Sequence, residues 1–98
     1  MTMNDLPRAA SFLAAAITSS GLTQKEVAHR AGFNRANFVS MMKSGETKIP
    51  VFRVPALAKA CGVPELELLE IVLYEDHPEM WEVIRRTGCF DPRVTTEL

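Results

Sequence analysis

The sequence predicts an all-α fold, on three observations. Apolar residues recur at three- and four-residue spacing, no segment sustains period-two alternation, and capping residues, Gly and Pro separate the periodic stretches. With 98 residues, 47% of them apolar, the chain can build one domain with a modest core and is too short for two.

The first helix is expected over about residues 7–19, where Leu6, Ala9, Ala10, Leu13, Ala16 and Ile17 form an apolar stripe. Pro7 suits its first turn, and SSGL at 19–22 ends it. Thr23 with Glu26 three residues on is the capping-box pattern, in which each side chain bonds the other's backbone N–H. It opens a second helix over 23–30 that buries Val27, with Ala28 and Ala31. Gly32 follows, where a tight turn between helices needs a residue tolerant of positive φ. Asn34 can cap a third helix over 34–43, with Phe38, Met41 and Met42 on its inner face. Gly45 and Pro50 in SGETKIP stop it.

Pro55 begins a fourth helix, PALAKACG, which turns Leu57, Ala58 and Cys61 inward and ends at Gly62. Pro64 starts a fifth, whose apolar Leu66, Leu69, Ile71, Val72 and Leu73 spread wider than one stripe. A last helix over 78–87 presents Met80, Trp81, Val83 and Ile84, and FDPRVTTEL at the end reads as a frayed tail. Residues 1–73 are therefore expected to form a five-helix domain and 74–98 a short C-terminal helical extension.

No apolar run reaches the length of a membrane span, and the N-terminal residues lack the basic-then-apolar order of a signal peptide. A cytoplasmic protein without membrane contact is expected. Cys61 and Cys89 have no CxxC partner, so they read as buried thiols rather than a disulfide framework or zinc site. His29 and His77 have no ligand-spaced companions and read as surface residues. No metal or other cofactor is expected. There is no nucleophile elbow, phosphate loop or paired carboxylate in a catalytic context, so no enzyme is expected either.

Net charge is −1, yet its distribution is uneven. Between residues 22 and 53, Lys25, Arg30, Arg35, Lys43, Lys48 and Arg53 stand against Glu26 and Glu46, six against two, or +4. From residue 54 onward four basic residues stand against nine acidic ones, or −5. A positive face of this kind can meet phosphate, and the negative half can meet a different partner. Idle surface charge is the plainer alternative.

Two short helices joined by a Gly-containing turn make a helix-turn-helix, whose second helix enters the DNA major groove. Here the pair is 23–30 and 34–43. At about 100° per residue, Ala36, Ser40 and Lys43 share the face opposite Phe38, Met41 and Met42, with Asn37 beside them and Arg35 at the N-terminal edge. That face is small, hydrogen-bonding and basic, and it carries no carboxylate. Asn37 suits the donor–acceptor edge of adenine, Arg35 suits guanine or phosphate, Ser40 suits either, and Ala36 leaves room for a thymine methyl. Thr23's neighbour Gln24 and the N–H groups opening the second helix can hold phosphate. Lys43, Ser44, Thr47 and Lys48 would hold the backbone beyond the third helix. Short amphipathic helices around Gly turns also occur in helical adaptors that never touch DNA.

The stretch 22–69, LTQKEVAHRAGFNRANFVSMMKSGETKIPVFRVPALAKACGVPELELL, resembles the Cro and phage-repressor type of helix-turn-helix, the XRE family. The matching features are LTQKEVA, Gly32 in the turn, SG followed by a basic residue and Pro, and the closing LAKACGVPELEL. The resemblance implies a five-helix phage-repressor-like DNA-binding domain acting as a repressor or autoregulator, often a homodimer on an inverted repeat of double-stranded DNA. By position it implies phosphate contacts at Thr23 and Gln24, and reading positions at Arg35, Ala36, Asn37 and Ser40. Two features depart from the pattern. The third helix runs one residue longer before SG, with Lys43 in the extra place, and the acidic extension beyond Leu73 is not shared.

That extension is rich in large apolar residues, with Trp81, Met80, Ile84 and Phe90 close together. It can complete the core. It can also form a dimer contact, anchored by Tyr74, Trp81 and Ile84, since a palindrome reader needs two recognition helices about 34 Å apart. A third option is a docking surface in the acidic C-terminal half, as in an antitoxin-type module that neutralises a partner protein and autoregulates its operon.

Overall fold

Capping chemistry and apolar spacing divide the chain where the sequence indicates, and a computed structural model describes residues 6–88. The helices are α1 (Arg8–Ser20), α2 (Gln24–Ala31), α3 (Ala36–Ser44), α4 (Val54–Cys61), α5 (Glu65–Asp76) and α6 (Pro78–Thr87), with a 3-10 turn, Val51–Arg53, ahead of α4. No strand occurs among the described residues. No described helix is long and apolar enough to cross a membrane. The frayed-tail expectation, Cys89 and Phe90 lie outside the described residues.

One apolar core draws on five helices. Leu13 and Ile17 of α1 meet Val27, Ala28 and Ala31 of α2, Val39 and Met42 of α3, Val54, Leu57 and Ala58 of α4, and Leu68 and Val72 of α5. No polar or charged side chain is buried among the described residues. Alanines at contact positions let the helices approach closely. Cys61 is buried at the edge of this core, and burial pushes its thiol pKa up.

Two expectations are corrected by packing, and the inner face of α5 is settled by it. The inner face of α3 is Val39 and Met42, whereas Phe38 is 43% exposed and Met41 half-buried. Phe38 instead leans on Phe33, with ring centroids 6.1 Å apart, outside the core. Asn34 does not cap α3: the N-cap residue is Arg35, with no side-chain capping bond. On α5, Leu66 is exposed and Leu68 is fully buried, because the helix offers α1 and α4 the arc through Leu68 and Val72.

α1 has no side-chain cap of its own, because Pro7 occupies the N-cap position. The cap arrives from the far end of the chain. The Glu75 carboxylate accepts from the backbone N–H of Arg8 and, at 2.9 Å, from that of Ala9. It thereby satisfies two of the open donors of a helix start and complements its dipole. Arg8 in turn lies over the Tyr74 ring, 5.9 Å from its centroid. Glu75→Ala should cost about 1 kcal/mol, the usual worth of a cap, and lower the melting temperature by roughly 4–8 °C. Thermal denaturation followed by circular dichroism checks this.

α6 is also where expected, but it adds no buried residue to the core. It packs mainly on α5, with Trp81 and Ile84 half-buried and Met80 and Val83 exposed.

Candidate nucleic-acid interface

The capping box at Thr23 forms as its spacing requires. Glu26 N–H donates to Thr23 Oγ1 at 3.1 Å, while Thr23 N–H and Oγ1 both donate to Glu26 Oε1. This fixes the start of α2, and it commits the Thr23 hydroxyl to Glu26. Gln24 sits in the first turn beside it, half-buried.

The α2–α3 turn depends on Gly32, at φ +81°. A side chain there would also collide: a Cβ would lie 2.7 Å from Arg53 Nη1. Arg53 occupies that space because its guanidinium donates to the Ala31 carbonyl at 3.3 Å and spans the rings of Phe33 and Phe52, at 5.3 and 5.4 Å from their centroids. The cation thus ties the turn to the segment ahead of α4. Gly45, ending α3 at φ +83°, lets the chain pass Pro7, whose Cδ would lie 2.9 Å from a Cβ. Both crossings hold α3 and the strand of chain after it against the rest of the domain.

With Val39 and Met42 inward, the outward strip of α3 is Asn37, Ser40 and Ser44, all exposed. Ala36 and Lys43, expected to share that strip, lie at its borders and are half-buried. The cause is a wheel phase set by Val39 rather than by Phe38 and Met41. Arg35 is exposed just ahead of the first turn. No carboxylate occurs in α3. Asn34, Thr47 and Lys48 come together on a different feature, a cleft of about 340 Å³ between the α2–α3 turn and the chain after α3, walled by Phe33, Phe38 and Phe52. Phe52 is 77% exposed at its mouth.

Sequence reasoning counted Arg53 as one more surface charge and did not single out Phe52. The run VFRVP carries a cue, an aromatic beside a cation, but its partner Gly32 is distant in sequence and only the tertiary fold joins them. Among the described residues no group of three His, Cys, Asp or Glu is placed to hold a metal. The ion pair between Glu82 and Arg85, at 2.8 Å, lies away from this face, on α6. There Arg85 holds the Glu82 carboxyl below its usual range, by hydrogen bond first and charge second.

This geometry is two short helices, a glycine turn pinned from behind, and a polar helix face turned outward. A family model for the helix-turn-helix domain matches residues 13–68, more than half of the chain. The chain belongs to the XRE helix-turn-helix family. Neither a curated protein nor a solved structure matches it. As an XRE member it is a DNA-binding transcription regulator, of a family that regulates rather than catalyses. The XRE match spans most of α1, then α2 to α4, and reaches α5 only as far as Leu68. The remainder of α5 and the whole of α6 fall outside it.

Proposed function

We propose that this XRE protein is a homodimeric repressor or autoregulator that reads an inverted repeat by laying α3 in the major groove. The observation that carries the reading is the exposed, carboxylate-free strip of α3, Asn37, Ser40 and Ser44, with Arg35 at its N-terminal edge. Asn37 offers an amide that pairs with both edge groups of adenine, and Arg35 a fork that pairs with guanine or phosphate. Ala36, small and at the border of the strip, permits close approach to the bases. Lys43, Ser44, Thr47 and Lys48 continue from the end of α3 and supply contacts to the sugar–phosphate wall, as Gln24 does from the start of α2, while Thr23, its hydroxyl held by Glu26, fixes that start.

The acids sit elsewhere. Glu65, Glu67, Glu70, Glu75, Asp76, Glu79 and Glu82 all lie on α5 and α6, against Glu26 and Glu46 alone between residues 22 and 53, so negative charge is concentrated on those two helices. That segregation favours one orientation on a polyanion. It also supports a second reading, in which the acidic α5–α6 end neutralises a basic partner protein and DNA binding only autoregulates the pair.

Selection of duplexes from a randomised library, followed by sequencing, tests both. The proposed function expects an enriched inverted repeat with half-sites one helical turn, about 34 Å, apart. No enrichment, together with a second protein recovered in equal amount from the native host, would overturn it in favour of the partner-neutralising reading.

A further inference from the structure

α6 is the most sharply two-sided of the six helices, yet none of its residues is buried. Its apolar arc runs through Val83, Met80, Ile84 and Trp81. Ile84 and Trp81 are half-buried on the α5 side. Met80 and Val83, at 53% and 49% exposure, leave the other half of the arc at the surface. Glu79 and Arg86 border this exposed half along one edge, two turns apart, or about 10 Å along the axis. On the far side Glu82 and Arg85 are already joined to each other.

We propose that the Met80–Val83 stripe is a contact between two copies of this chain, in which α6 lies antiparallel to its two-fold mate and the helices cross near Val83. A two-fold contact repeats every pairing, so the direction of the helices decides which charges meet. Parallel two-fold mates would place their Glu79–Arg86 edges on opposite sides of the contact, where neither charge meets the other across it. Antiparallel helices set Glu79 of each copy against Arg86 of the other, twice, along the same edge, and close Met80 and Val83 between them. The border charges therefore specify both the partner, a second copy, and its direction. α6 lies outside the residues that match the XRE domain, so this contact is a property of the extension and not of the shared fold.

Two ten-residue helices bury less than the ~1,200 Å² of a standard stable interface, so the pair is weak and concentration-dependent when free. Its purpose rests on the inverted-repeat reading, since two half-sites on one duplex would hold both copies together and raise their effective concentration. Its geometry does not.

Sedimentation of the full chain without DNA, over a range of concentrations, tests the contact. Wild type should show a monomer–dimer equilibrium. Glu79→Arg alone and Arg86→Glu alone should each weaken it at least tenfold, while an equimolar mixture of the two variants should recover the wild-type constant, because each like-charged pair is then replaced by an opposite one. Val83→Glu should leave a monomer with an unchanged melting curve. A wild type that stays monomeric throughout, as it would if a different protein or residues 89–98 covered the stripe, overturns the proposal. So does a dimer that ignores both charge reversals, or a mixture that fails to recover. Loss of DNA selection with this equilibrium intact would sink the DNA reading alone.

Discussion

Alanine at both Arg35 and Asn37 should weaken binding to the selected operator by at least roughly 30-fold per half-site. A good base-edge contact is worth about 1–3 kcal/mol of discrimination, so two lost together amount to about 2–6 kcal/mol, with 1.4 kcal/mol per factor of ten. Fluorescence anisotropy at one fixed salt concentration measures the loss, since phosphate contacts make any affinity salt-dependent. Both side chains are exposed and neither caps α3 with a hydrogen bond, so the melting curve should barely move. Binding to random-sequence DNA should fall much less, because Asn37 would contribute nothing there. Unchanged operator affinity would show that α3 does not read bases through these residues.

Gly32→Ala should unfold the domain more readily, by about 2–3 kcal/mol in all. Placing a side chain at φ +81° costs about 1–2 kcal/mol. Moving Arg53 out of the way of the new Cβ gives up a partly buried hydrogen bond to Ala31, worth about 1 kcal/mol. For a domain of this size the melting temperature should fall by roughly 10–20 °C. A double-mutant cycle separates the two causes: in an Arg53→Ala background, Gly32→Ala should cost only the backbone part. Equal costs in both backgrounds would show that Arg53 does not support the turn.

Helix order was legible because the punctuation in this chain is local. A capping box, prolines in first turns and glycines after last turns act within a few residues of themselves, so they can be read without knowing what packs where. Faces were less legible. In α3 the apolar residues Phe38, Val39, Met41 and Met42 spread over about 160° of the wheel, and only contact with α2 and α1 selects Val39 and Met42 as the inner pair. The polar strip shifted with that phase, which moved Ala36 and Lys43 to its borders and brought Ser44 onto it. In α5 the same ambiguity hid Leu68. Long-range ties left no trace in spacing at all: Glu75 caps a helix start 66 residues away, and Arg53 braces a turn 22 residues before it.

The bracing of that turn has a kinetic consequence. α2 and α3 already stand in one arrangement in the free chain, closed at the bend by a cation that hydrogen-bonds backbone and stacks on two rings. A reading unit that needs no reordering on contact loses little conformational freedom when it docks. Encounter with good and poor operators should then be about equally fast, and the discrimination between them should lie in how long each complex survives before it lets go.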